Sequence, residues 1–310
     1  MTDGPNNAAR CRWRGRPLRV LAGLCLLAGC ARQAQVTDPD AVLRSGWDHY
    51  RLGEFDGAIK DFEGVLAAVP AQEPRRPMAL YGLACTWNLR RPGQDPTRAA
   101  QHYQQIVDEA PTSDLAAWSL LALARMKHLV PVGDEPNYDE VRQAYQAVID
   151  RFPTHPAAEE AFIYQQATYV AAITPETARH AMTNLETFVR THLSSGFLSA
   201  AYSVMAIASQ TLNDPEQRLQ CELKAYETAE VDPSNPFIDN AWRYWTIATV
   251  AEFEVGDFDT AREFYGRLIK EYPTDIRKYA SQQALLRMEA TEARLRQAPP
   301  AAEKREPGPS

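Results

Sequence analysis

The chain has 310 residues, of which 45% are hydrophobic and 24% charged, and its 33 basic and 40 acidic side chains give a net charge of −7. This composition suits one or two globular domains or one elongated array. The acidic balance argues against nucleic acid as a partner, because binding to phosphates requires clustered lysine and arginine side chains.

The first 30 residues are arranged like a secretory signal. Five arginines lie between residues 10 and 19, an apolar stretch follows at 20–27, and position 30 is a cysteine. A basic segment before a short apolar segment is typical of such signals, and this stretch is less than half of the roughly 20 apolar residues that a membrane-spanning helix needs. We therefore predict that residues 1–29 are a signal peptide that is cleaved from the mature protein.

The segment LAGC at 27–30 resembles the lipobox of bacterial lipoproteins. The resemblance implies cleavage before Cys30 and acylation of Cys30, and Ala31 in place of an aspartate implies sorting to the outer membrane, facing the periplasm. Acyl chains bind a bilayer firmly, because each buried methylene contributes about 0.8 kcal/mol. Residues 30–37 are then the acylated N-terminus and a short tether. The alternative is an ordinary signal followed by a chance cysteine.

The charge of the remaining chain makes the acyl anchor necessary. Residues 1–29 carry a net charge of +4, from five arginines and one aspartate, so residues 30–310 carry −11. Such an acidic protein has no evident polybasic surface that would hold anionic lipid. We therefore expect the acyl chains alone to attach it to the membrane.

Six similar segments recur along the rest of the chain, and each has small or apolar residues at offsets 0, 4, 7 and 8. They begin 41, 42, 40, 40 and 40 residues apart, at Ala58, Ala99, Val141, Ala181, Cys221 and Ala261. The offsets define one face of a helix, and the proline at offset 12 ends that helix in every segment but the fourth, where Leu193 takes its place. A second helical pattern precedes each segment. The sequence therefore predicts an all-α fold, an α-solenoid of about six helix pairs.

The solenoid is expected to cover residues 38–297. Its last part, 276–297, continues as a helix and becomes charged, as a capping helix should. Residues 298–310 contain four prolines and no apolar periodicity, which predicts a disordered tail.

The first and last units resemble the tetratricopeptide repeat. Gly46 stands where the paired helices cross, Gly53 in the turn between them, and Phe62 at the position that fills the space between units; Gly256 and Tyr265 match in the last unit. The period of about 40 exceeds the 34 residues of that family, so extra residues are expected in loops at 90–96 and 129–137. The period alone would also suit HEAT repeats of about 40 to 47 residues.

Catalytic chemistry is not indicated. The six histidines have no metal-ligand spacing, and no phosphate loop or nucleophile motif is present, so we predict no enzyme activity, no metal and no cofactor. Cys85 and Cys221 lie three units apart, and we expect two buried free thiols rather than a disulfide. An envelope enzyme or a solute-binding protein is the alternative from another class, and it would need a convergent polar pocket.

Partner binding is expected on the first helix of each pair. The tetratricopeptide resemblance implies that these helices line a concave groove that holds peptides or partner helices. The family's groove positions correspond to Trp47, Tyr50, Ser119, Met126, Arg243, Thr246 and Phe253. For Trp47 and Tyr50 the alternative is packing against the next repeat.

The links that follow the prolines include PTSDLAAW at 111–118 and PTHPAAEEAF at 153–162. They resemble the links of tetratricopeptide lipoproteins in Gram-negative envelopes, notably the BamD-type subunit of the β-barrel assembly machinery and the Tol-associated periplasmic protein. The resemblance implies a membrane-anchored periplasmic scaffold for envelope proteins or peptides, with outer-membrane β-barrel assembly as the leading assignment. A pilus-secretin pilotin, a Tol-linked cell-division factor and a structural repeat protein without a fixed partner are the alternatives.

Overall fold

The structure is a computed structural model that describes residues 38–89, 92–229 and 239–297, and in these residues it is helical with no strand. The first helices of the pairs are α1 (Pro39–Leu52), α3 (Arg75–Asn88), α5 (Asp114–His128), α7 (Pro156–Val170), α9 (Leu198–Thr211) and α11 (Ala241–Val250). The second helices are α2 (Phe55–Ala68), α4 (Pro96–Glu109), α6 (Tyr138–Arg151), α8 (Pro175–Thr191), α10 (Pro215–Glu227) and α12 (Phe258–Glu271). A π-helical turn (Ala251–Val255) extends α11, and α13 (Lys278–Gln297) follows the sixth pair.

This arrangement confirms the predicted α-solenoid of six helix pairs with a final capping helix. The signal peptide at 1–29, the tether at 30–37 with Cys30, and the tail at 298–310 lie outside the described residues. None of the described helices is both long enough and apolar enough to cross a bilayer.

Local sequence signals set the helix boundaries. Asp38 accepts hydrogen bonds from the backbone N–H groups of Asp40 and Ala41 at 3.0 and 3.1 Å, and Pro39 occupies the first turn, where its missing N–H costs nothing. The turns of the first and last pairs contain Gly53 and Gly256, whose φ angles of 78° and 81° favour glycine. Both turn glycines were expected from the sequence.

The core lies between the helices of each pair and between neighbouring pairs. The residues at offset 0 of the six segments are all buried, as are the larger side chains at offset 4, among them Phe62, Tyr103, Tyr145, Leu185 and Tyr265. Each second helix packs against its own first helix and against the first helix of the next pair, and first helices also contact one another from α1 to α9. Between α9 and α11, Arg243 Nη2 donates to Ser199 Oγ at 3.2 Å.

The extra residues of the 40-residue period include the two predicted loops, which follow α3 and α5. In the fifth segment α10 already ends at Glu227, whereas the repeat pattern predicts an end close to Pro233. The offset-7 position of this segment is Thr228, where the other segments have Val, Ile, Phe or Leu, so the last turn has no large apolar side chain to bury.

The fourth segment shows that proline is not required to end the second helix. α8 ends at Thr191, and the N–H of Ser195 then donates to the carbonyl of His192 at 2.9 Å. The same turn follows α4, where Ser113 donates to Ala110 at 3.0 Å, before a segment that does contain proline. Packing and turn geometry therefore set this boundary in both cases.

Candidate partner-binding surface

The first helices of the pairs lie side by side in a row. The Arg75 guanidinium at the start of α3 donates to Asp40 in the first turn of α1 at 2.7 and 2.8 Å. Asp114 at the start of α5 lies 2.7 Å from Nε2 of His155, the residue that caps α7. These links between the starts of neighbouring first helices place the helices side by side in the same direction. We call the exposed side of this row the first-helix face.

The centre of the first-helix face carries one charged pair. Arg125 of α5 lies 3.5 Å from a carboxylate oxygen of Glu160 on α7, and its guanidinium lies 5.1 Å from the ring centroid of Tyr164. Burial raises the pKa of Glu160, and burial also raises the pKa of Tyr81 on α3. Arg125 and Glu160 are thus of opposite charge and lie beside the aromatic side chains of Tyr81 and Tyr164.

The predicted groove residues of the first unit are packed into the core cluster of the first two pairs. Trp47 meets Tyr50 and Phe62 edge to face, with ring centroids 5.6 and 5.3 Å apart, and Trp87 of α3 belongs to the same cluster. Both predicted residues are half-buried, and burial raises the pKa of Tyr50. The observed contacts agree with packing against the next repeat, and partner binding by Trp47 and Tyr50 stays a prediction.

The predicted residues of the third unit contribute little to the exposed surface. Ser119 is fully buried, and its hydroxyl has no hydrogen-bond partner. Met126 is half-buried against the cluster that contains Tyr103. The more accessible side of α5 instead carries Trp118 and Arg125, which the sequence reasoning missed.

The predicted residues of the last unit lie together near the surface of α11. Arg243 is half-buried: its Nη2 donates to Ser199 Oγ at 3.2 Å, and its guanidinium stacks on Trp242 at 4.6 Å from the ring centroid. Burial lowers the pKa of Arg243, and its Nη1 has no hydrogen-bond partner. Thr246 is half-buried, and Phe253, in the π-helical turn, is 66% exposed.

A pocket of about 330 Å³ opens between α9 and α10, and its lining includes Tyr202, Met205, Cys221 and Leu223. Burial raises the pKa of the Cys221 thiol to about 11, so it is protonated at neutral pH and a poor nucleophile. Cys85 and Cys221 are both free; Cys221 is buried, as expected, whereas Cys85 is half-buried rather than buried. Within the described ranges, no three His, Cys, Asp or Glu side chains converge in a way that could hold a metal ion.

Comparisons with known proteins agree with this architecture. Residues 43–114 and 246–275 each match a tetratricopeptide-repeat family. The structure is similar to that of PilF from Pseudomonas aeruginosa, with a TM-score of 0.52 and 15% identity over 79% of this chain and 96% of that one. It is also similar to PilW, described as a widely conserved type IV pilus biogenesis factor, with a TM-score of 0.54 and 14% identity over 80% of this chain and 98% of that one.

No curated protein sequence matches the chain significantly. At 14 to 15% identity, the two structural similarities concern the fold alone. The fold is an α-solenoid, and the tetratricopeptide-repeat matches are confined to residues 43–114 and 246–275.

Proposed function

We propose that this chain is a non-catalytic scaffold, anchored to the outer membrane by an acylated Cys30, that binds envelope proteins along its first-helix face. The tetratricopeptide repeat is typically a protein-interaction module, which supports a role in binding proteins. The observation that carries the proposal is the first-helix face itself. It is a row of helices that exposes Met78, Ile207 and Trp242 and that carries the oppositely charged Arg125 and Glu160 near its centre.

The anchor is tested by labelling with radioactive palmitate. Cys30→Ser removes the only thiol of the LAGC segment, so the precursor is expected to remain uncleaved and unlabelled. Cys25→Ser, within the same apolar stretch, is the matched control and is expected to retain both cleavage and label. Undiminished labelling of the Cys30→Ser variant would show that the protein is not a lipoprotein acylated at this position.

The finer assignment is a role in outer-membrane β-barrel assembly, which rests on the resemblance of the repeat links to BamD-type lipoproteins. The second candidate is pilus biogenesis, which is favoured by the similarity in fold to PilW, a protein described as a pilus biogenesis factor. Affinity purification from detergent-solubilised envelopes distinguishes them. Recovery of a β-barrel assembly protein in stoichiometric yield supports the first, whereas recovery of only pilus or cell-division components contradicts it.

A further inference from the structure

The outer face of the last helix, α13, carries two large exposed side chains. Its inner face packs against α12 and buries Ser281, Ala284 and Met288. On the opposite side of the helix Tyr279 is 71% exposed and Leu286 is 59% exposed. A helix that caps a solenoid normally presents a polar outer face to water. Tyr279 and Leu286 depart from that rule, so the end of the array has an apolar surface.

The two exposed side chains belong to a pattern that repeats every seven residues. Along the outer face of α13, uncharged residues recur at alternating intervals of four and three, at Tyr279, Gln283, Leu286, Ala290, Ala293 and Gln297. Residues at this spacing lie on one side of a helix, and a seven-residue repeat is the pattern by which two helices pack along their length as a coiled coil. We call these six residues the α13 stripe. It faces away from α12 and is separate from the first-helix face, which α1 to α11 form.

Charged and polar residues border the α13 stripe on both sides. One side carries Ala280, Arg287 and Arg294, and the other carries Gln282, Glu289 and Arg296. Arg287 donates to the buried carboxylate of Glu252 at 2.8 and 2.7 Å, which holds its guanidinium against the protein. Glu289 and Arg294 are exposed, and within the described part of the chain neither forms an ion pair. Both charges are therefore available to a second molecule.

A second copy of α13 complements these charges when the two helices run parallel. In a parallel coiled coil, a residue beside the stripe of one helix meets the residue five positions later on the other helix, and such pairs set partner choice and orientation. Glu289 then faces Arg294 of the second copy, and Gln282 faces Arg287 of the second copy. An antiparallel pair with full overlap would instead oppose Glu289 to Glu289 and Arg287 to Arg287. Charge complementarity therefore selects both the occupant and its direction.

The shape of the stripe suits the same arrangement. Ala290 and Ala293 are small and let two helices approach closely, while Tyr279 and Leu286 supply apolar area to bury. A parallel pair has two-fold symmetry, so each residue of the stripe contacts the stripe of the other copy, and the Glu289–Arg294 pair occurs twice. Because each inner face packs on its own α12, the two solenoids lie on opposite sides of the contact.

We propose that this protein forms a parallel homodimer through the α13 stripe. This inference goes beyond the proposed scaffold function, because it concerns a second copy of the chain and a surface other than the first-helix face. A dimer would present two first-helix faces in one assembly.

Cysteine crosslinking in cells that produce the full chain tests the contact and its direction. In the parallel pair, position 290 lies beside position 290 of the second copy, whereas in an antiparallel pair with full overlap it lies beside position 286. Ala290→Cys is therefore expected to give a covalent dimer with a short bismaleimide. Ala147→Cys, at an exposed alanine of α6, is the matched control and is expected to give none.

Mass spectrometry identifies the crosslinked product. A peptide that joins position 290 to position 290 supports the proposal. Absence of a dimer, an equal yield of dimer from Ala147→Cys, or a product that joins position 290 to a different protein would overturn it.

Charge reversal in the Ala290→Cys background tests which residues meet across the dimer. Glu289→Arg places an arginine against Arg294 of the second copy, and Arg294→Glu places a glutamate against Glu289. Each single variant is expected to reduce the yield of dimer about fivefold or more, because both symmetric pairs change from attraction to repulsion. The double variant restores opposite charges and is expected to recover most of the yield.

Leu286→Asp, which adds a charge to the stripe itself, is expected to abolish the dimer. Circular dichroism of the purified variants establishes that each is folded. An unchanged yield in both single charge variants, or no recovery in the double variant, contradicts the proposal. Such a result would leave co-purification of envelope partners intact, so failure of this inference is distinguishable from failure of the scaffold function.

Discussion

Gly82→Ala tests the packing between the first two helix pairs. The ring of Phe62 is fully buried between α1 and α3, and a Cβ atom at Gly82 would lie 2.5 to 2.6 Å from three of its atoms. Alanine favours a helix over glycine by about 1 kcal/mol, but overpacking a well-packed core costs about 1–3 kcal/mol. Because three ring atoms must move and the ring has no exposed surface, we expect a net loss of about 1–2 kcal/mol in the free energy of unfolding.

Gly266→Ala in α12 is the matched control, because a Cβ atom there meets nothing within 4 Å. We expect it to stabilise the protein by up to about 1 kcal/mol, so the two variants should differ by about 2–3 kcal/mol in urea unfolding followed by circular dichroism. In a Phe62→Leu background, which shortens the opposing side chain, Gly82→Ala should lose most of its cost. Equal stabilisation by both glycine substitutions would refute this account of the interface.

Three further predictions concern single sites, each measured by the free energy of unfolding. Ile173→Gly should stabilise the protein by about 1 kcal/mol, because this exposed residue has a φ of 53°, where a β-branched side chain is strained. Asn213→Gly, at a φ of 56°, should stabilise it less, because asparagine tolerates this conformation. Equal stabilisation by both substitutions would contradict this explanation. Burial raises the pKa of Glu222, so the contribution of this residue to stability is present at low pH and is lost as the pH rises through the folded-state pKa. Glu222→Gln should therefore stabilise the protein at pH ~7 but not below about pH 4. A stabilisation that does not depend on pH would contradict this explanation. Arg287→Ala should cost about 2 kcal/mol, because it removes the ion-pair partner of the buried Glu252 carboxylate and leaves only the hydrogen bond from Tyr265. Adding Glu252→Gln should restore part of the loss. No loss in the single variant would show that this pair does not hold α13.

The fold could be predicted from the sequence because each repeat buries the same positions. Small residues at offset 0 let paired helices approach, and large residues at offset 4 fill the space between units, so residues such as Ala58 and Phe62 show the period directly. The early end of α10 at Glu227 could not be predicted from this period; the next residue, Thr228, is small and polar where the other segments have Val, Ile, Phe or Leu. The repeated pattern of residue types can still be recognised when one residue differs, whereas the end of a helix can shift.

The exposure of the candidate binding residues could be predicted only in part, and partner binding by them stays a prediction. Phe253 of the last unit is exposed, whereas Trp47 and Tyr50 of the first unit are half-buried although the same short turn follows their helix. In the third unit the family's positions correspond to the buried Ser119 rather than to its more accessible neighbour Trp118. Which side of a first helix is covered depends on the neighbouring pairs, and the pattern of one repeat does not contain that information.

Photo-crosslinking in living cells tests the central claim, that the first-helix face binds protein partners, most directly. A benzophenone amino acid replaces Ile207 on this face in one variant and Gln104, an exposed residue of the second helix α4, in the other. Irradiation is expected to join the position-207 variant to one discrete envelope protein and to give no such product from position 104. A product from position 104 alone, or the same product in equal yield from both positions, would contradict it.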